Sequence, residues 1–302
     1  MLFVLLYGKL LRVITEEPSQ QITPLPEEPV HPPAPVLGEE VQPSPSPQSL
    51  IWWLPWIEVI KAVGLWVVSV LLLLFVPILV ALPYLIYKIV TVGAASSQAL
   101  ATDKTVIFLS VVAIIPTHLL TLLATWGFVS HWGRRPFWKT LEFEWPKNVR
   151  PVLAGLLSVS VAVVLLILSW LVTNYWGGAK TQLDALIESS LPARFATAFI
   201  ALATAPLVEE LIYRGVLYPA IEKAAGVTVA VLAVSLLFAG VHVFQYINNI
   251  AVISAITLLS FTLTLARAYT GKLLPSFVIH LVFNGIQSLI LVLAPFLDKG
   301  TG

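Results

Sequence analysis

The sequence predicts an all-α transmembrane helical bundle of about seven spans, or eight helices if one span is broken, behind a disordered N-terminal tail. Three observations lead there. The chain is 58% hydrophobic and only 11% charged, with a mean hydropathy of +0.91, whereas soluble domains are about a quarter charged. Its apolar residues fall in long charge-free runs, and at about 1.5 Å per residue these outreach a hydrocarbon core of about 30 Å. Proline, glutamate and serine are concentrated ahead of the first run.

Residues 1–15 form a short apolar stretch carrying Lys9 and Arg12. It is too short to span and lacks a small-residue cleavage site, so it reads as lying on the membrane surface. From Glu16 to Ser49 the prolines, as in Pro43 to Pro47, offer too little apolar burial to offset ordering entropy, which predicts a partly polyproline-like tether. Trp52, Trp53 and Trp56 suit the headgroup level just before the first span, residues 62–87. Further spans are expected at 105–130, 151–179, 195–221, 226–246, 250–266 and 273–297, with kinks at Pro77, Pro83 and Pro116. The loop from His131 to Arg150 holds Arg134, Arg135, Lys139, Lys147 and Arg150 against Glu142 and Glu144. The positive-inside rule places it, and the N-terminus, in the cytoplasm. Lys180 to Arg194 reads as an outer loop and Arg267 to Lys272 as a charged cytoplasmic turn.

Net charge is +1 and no basic cluster is interleaved with aromatics, so nucleic-acid binding has no support. The absence of cysteine removes disulfides, thiol nucleophiles and thiolate metal sites. Catalysis would have to use carboxylate, imidazole, hydroxyl or metal.

Three polar patterns interrupt the apolar C-terminal third: Glu209, Glu210 and Arg214 in an EExxxR, Phe238 and His242 in an FxxxH, and His280 and Asn284 in an HxxxN. Ionisable groups in hydrocarbon are costly and usually functional. Residues four apart share a helical face, so Glu210 can pair with Arg214 while Glu209, about 100° away, points elsewhere. Phe238 can pack beside the His242 imidazole, and His280 shares its face with Asn284. Singly, each has a structural reading as an ion pair, an interhelical hydrogen-bond donor or packing glue. Together they hold a carboxylate to take a proton from water, an imidazole to orient that water, and a His and Asn pair to donate to an oxyanion. Glu209, His242 and His280 also make a three-ligand set for a divalent metal such as zinc. The residues do not choose between metal-dependent and metal-independent hydrolysis. One geometric difficulty is visible: a straight span from Gly226 carries His242 about 24 Å along its axis, away from Glu209 and His280, unless a separate short helix after Arg214 delays entry of that span.

An EExxxR, an FxxxH and an HxxxN in this order on successive hydrophobic helices resemble the CPBP (Abi) family of intramembrane proteases, which includes the type II CAAX prenyl endopeptidases and bacteriocin-related enzymes. The resemblance covers roughly residues 192–297. It implies that Glu209 activates the attacking water with help from His242, that His280 and Asn284 stabilise the oxyanion, and that Glu210 and Arg214 support the first carboxylate. The chain then divides into a tail at 1–49, N-terminal transmembrane helices at 50–190 and a protease core at 191–297. The expected function is a multi-pass cell-membrane hydrolase, of the CAAX protease or metalloprotease kind, that cleaves a hydrophobic or lipid-anchored peptide within the bilayer. The alternative is a non-catalytic scaffold or bacteriocin-immunity-type protein. A proton-relay transporter lacks support, because no internal duplication is visible.

Overall fold

The computed structural model describes residues 54–93, 100, 103–176, 182–247 and 249–297, and their regular structure is entirely helical. The surface stretch and the tether expected at 1–49 lie outside the described residues. In order the chain forms α1 (Leu54–Val92), α2 (Lys104–Val112), α3 (Ile114–Ser130), α4 (Phe137–Thr140), α5 (Pro151–Trp176), α6 (Gln182–Ser189) and α7 (Leu191–Phe199). A π-helical segment Ile200–Thr204, α8 (Ala205–Glu209) and a second π-helical segment Glu210–Leu217 follow. The chain continues through α9 (Tyr218–Tyr246), α10 (Ile250–Thr270) and α11 (Leu273–Leu297).

Six stretches among the described residues are long and apolar enough to cross a membrane, one of them the 53 residues Leu191–Val243. Gly226 divides that stretch, with φ 84° and ψ 167° inside α9, a conformation essentially reserved for glycine. At about 1.5 Å per residue, 191–225 and 227–246 are each long enough for a core of about 30 Å. Counted this way, seven stretches of the described residues are long enough to cross, and 191–225 ends in a short helical piece at 218–225 before the stretch that carries His242. The break falls at Gly226 rather than at the charged Glu222 and Lys223, which stay helical.

Local chemistry explains the other boundaries. Asp103 caps α2, accepting from the backbone N–H groups of Thr105 and Val106 at 2.8 and 3.2 Å. Pro116 has no N–H to give Val112, and the span expected at 105–130 is interrupted at Ala113. Pro77 and Pro83, by contrast, do not interrupt α1. The segment expected as an outer loop contains α6, and Ser190 then caps α7 by accepting from Ala193 N. Asn249 caps α10, and Gly271 ends it in the left-handed region at φ 64°.

The segment 131–150 is a docked structure rather than a free loop. His131, Trp132 and Gly133 turn the chain with positive φ, Leu141 is buried, and Leu273 N donates to Glu142 O at 2.9 Å. Lys272 pairs with Glu142, and with Glu144 at 2.6 Å. The main core joins Leu211, Leu217, Tyr218, Val234 and Phe238 to Ala62 and Leu65 of α1 and to Leu273. A second core packs Ala162 and Leu165 of α5 against Leu263, Ile279 and Phe283. Ala230, Ser235 and Ser260 are completely buried, as small residues are where helices approach closely in lipid.

Two predictions follow from these junctions. A Cβ at Gly226 would meet nothing within 4 Å, so Gly226→Ala tests backbone strain alone. It should destabilise the detergent-purified protein by about 1–3 kcal/mol in thermal unfolding, whereas Gly240→Ala, an open helical position of the same α9, should stabilise by roughly 0.5–1 kcal/mol. At the docked segment, the hydrogen bond and charge of Lys272 hold the Glu144 carboxyl below its ordinary value, while Glu142 and Glu144 raise the Lys272 ammonium. The clamp is therefore complete above the ordinary carboxylate range and lost as pH falls through the lowered Glu144 value. Limited proteolysis between 131 and 150 should accelerate on that acid side and remain slow through mildly alkaline pH.

Candidate active site

The site is assembled around a buried cation. Arg214 is completely buried in the second π-helical segment. Its Nη1 donates to Glu210 Oε1 at 3.2 Å, its Nη2 to the Ser260 carbonyl at 3.0 Å and hydroxyl at 2.8 Å, and its Nε to Thr264 Oγ1 at 3.2 Å. Its Cζ also lies 4.6 Å from the centre of the Phe238 ring, within cation–π range. Ser260 and Thr264 are one turn apart on α10, so a single helix face receives the guanidinium. Arg267 donates to the Arg214 carbonyl at 3.1 Å. It is buried, inside the helix rather than in the charged turn where it is expected, because the Arg214 carbonyl and the Gly271 carbonyl at the end of its own helix supply its acceptors.

Glu210, also completely buried, accepts from His280 Nδ1 at 3.0 Å through the same oxygen that pairs with Arg214. That bond makes Nδ1 the protonated nitrogen and turns Nε2 toward Glu209 Oε2, 3.5 Å away. The Glu209 side chain retains 25% exposure. The two adjacent carboxylates therefore differ in environment: one is sealed and paired, the other accessible. Glu210 Oε2 has no hydrogen-bond partner in the structure. The nearby Ser276 hydroxyl donates to Leu273 O at 2.9 Å instead.

His242 is fixed by its own helix. Its Nδ1 donates to Phe238 O at 2.8 Å, which leaves Nε2 with a lone pair. The Phe238 ring links the two imidazoles, with its centre 4.8 Å from His242 and 6.1 Å from His280. The structure thus brings Glu209, Glu210, Arg214, Phe238 and His280 together, with His242 joined through Phe238. His242 does not reach ion-pair distance of Glu209. Among the described residues no group of three or more His, Asp or Glu side chains is placed to hold a metal. Among the described residues the expected ligand set Glu209, His242 and His280 is therefore not assembled as a metal-binding group, and the metalloprotease expectation gains no support.

Asn284 lies farther along α11 and donates through Nδ2 to Ala201 O at 3.1 Å. The π register accounts for this. Ala205 N bonds to Ile200 O, so the next donor, for Ala201 O, would be residue 206, which is Pro206 and has no N–H. The Asn284 amide supplies it. Its second N–H is not used by this bond.

Several neighbours of the site escape local sequence reading. Trp66 of α1 donates to Tyr213 Oη at 2.9 Å, and the Tyr213 ring packs against Phe238 with centres 5.1 Å apart. His118 of α3 bonds to Thr204 Oγ1 at 2.7 Å and lies within electrostatic reach of Glu209. The only sequence signal for His118 was an imidazole inside an otherwise uncharged span.

Residues 191–286 match the family model described as type II CAAX prenyl endopeptidase Rce1-like. No curated protein and no solved structure matches the chain. The match contains all three polar patterns and both π-helical segments. Over residues 191–286 the chain is thus similar to the Rce1-like type II CAAX prenyl endopeptidases, a family of membrane proteases.

Proposed function

We propose that this chain is an intramembrane endopeptidase acting on a hydrophobic or lipid-anchored peptide, with a core at 191–297 supported by the helices of 50–190. The observation that carries the reading is the unequal carboxylate pair: Glu209 is partly exposed beside His280 Nε2, while Glu210 is sealed against Arg214 and His280 Nδ1. A general base must be reachable by water, and its neighbours must be held still. In this mechanism Glu209 takes a proton from water as the oxygen attacks the scissile carbonyl, and the His242 Nε2 lone pair helps to orient that water. His280, as an imidazolium whose Nδ1–H stays on Glu210, donates its Nε2–H to the oxyanion, and Asn284 its spare N–H. Glu209 then returns the proton to the leaving amine as the C–N bond breaks. The end of the bundle that carries Arg134, Arg135, Lys139, Lys147, Arg150 and Lys223 is assigned to the cytoplasm by its excess of cations, which also puts the N-terminus there.

Glu209→Gln should lower kcat for a cleaved membrane peptide by roughly 10²–10⁴ without moving the thermal unfolding midpoint. Peptidomics of membrane fractions from wild-type and variant cells identifies the substrate for this assay, and cleavage retained by the variant would overturn Glu209 as the base, whereas identical peptide profiles in wild-type cells and in cells lacking the protein would favour the non-catalytic scaffold reading. Loss of the oxyanion donors in His280→Ala or Asn284→Ala should reduce kcat by roughly 10²–10³. Arg214→Met acts on the scaffold instead, because it leaves Glu210 as an uncompensated buried charge. It should cost about 3–5 kcal/mol of stability in unfolding titrations.

A further inference from the structure

At the end of the bundle where α1 begins and α3 ends lies a cavity of ≈ 840 Å³, bounded also by the docked segment after Ser130 and by residues 215–223. Its floor is apolar, formed in part by Ala62, Leu141 and Val216. Its rim carries four permanent cations, Lys61, Arg134, Arg135 and Lys223, against the single carboxylate of Glu58. Glu58 is already paired with Lys61 at 2.8 Å. Among the described residues Arg134, Arg135 and Lys223 have no carboxylate oxygen at ion-pair distance. Trp132, 74% exposed, also lines the cavity.

From these observations we infer that the cavity binds the phosphate headgroup of an anionic phospholipid. Three unpaired cations that merely obeyed the positive-inside rule would spread over a solvated surface. Here they ring a concave space with a hydrocarbon-like floor, at the ends of membrane passes and beside an exposed indole, which is the depth of the lipid phosphates. A wholly water-soluble anion would use the cations and leave the apolar floor uncovered, whereas a phospholipid covers both. The floor includes Gly215 and Val216, the two residues after Arg214, so the bound lipid lies against the segment that carries the buried ion pair. The inference is independent of the proteolytic reading.

The test is thermal unfolding and native mass spectrometry of the full-length protein in neutral detergent, titrated with short-chain phosphatidylglycerol and separately with phosphatidylcholine. Saturable stabilisation and a retained adduct are expected with phosphatidylglycerol and not with phosphatidylcholine. The Arg134→Gln/Arg135→Gln variant should bind roughly thirty-fold more weakly, and Lys223→Gln should bind several-fold more weakly. All these variants should keep the wild-type midpoint in phosphatidylcholine. Lys139→Gln/Lys147→Gln, which neutralises cations of the same segment outside the cavity, should bind like wild type. Equal stabilisation by phosphatidylcholine, unchanged affinity of the double arginine variant, or an equal effect of inorganic phosphate or a soluble acidic peptide at matched concentration would each overturn the assignment.

Discussion

A guanidinium sealed from water inside helices whose other faces meet hydrocarbon dictates much of the packing around it. Arg214 cannot shed its charge, so every N–H it carries must find an acceptor within reach of one short segment. The acceptors come from two directions: Glu210 one turn back on the same strand of chain, and the Ser260 and Thr264 face of α10. Satisfying Arg214 therefore fixes how α10 sits on the π-helical segment. Because Glu210 is held by that arrangement, it can hold His280 in turn, and His280 faces Glu209. The position of an accessible carboxylate is thus inherited, through three contacts, from a cation that never meets solvent.

The π-helical turns are the second constraint. Each widens the helix by one residue and disturbs the ordinary pairing of backbone groups. Pro206 sharpens the disturbance because it removes the donor that Ala201 O would use. The structure answers with Asn284, and with Arg267 at the Arg214 carbonyl. Two side chains that look like isolated polar residues in separate spans are in this sense parts of one backbone account. Their placement is as much about allowing an irregular helix at membrane depth as about the chemistry beside it.

How much of this was legible in the sequence depends on the reach of each rule. Span number, the Glu210–Arg214 pair and the shared face of Phe238 and His242 are local, and hydropathy and the four-residue spacing reveal them. The depth of His242 is legible as a difficulty for a span that starts at Gly226, and Gly226 is where the structure breaks α9. What stayed hidden is non-local. Ser260 and Thr264 look like ordinary small polar residues of a span until Arg214 arrives opposite them. Arg267, judged by its neighbours, belongs to a charged turn, yet its acceptor lies more than fifty residues earlier. The π register escapes a reading at a period of 3.6, although Pro206, by deleting one donor, carries the hint.

The Trp66–Tyr213 and His118–Thr204 hydrogen bonds cross a boundary that sequence similarity draws at residue 191. The stretch that the similarity covers is thus smaller than the unit that packs together, since two of its irregular segments are braced by helices outside it. Altering a single brace in the helices around residues 191–286 would then retune the same chemistry without touching the three polar patterns.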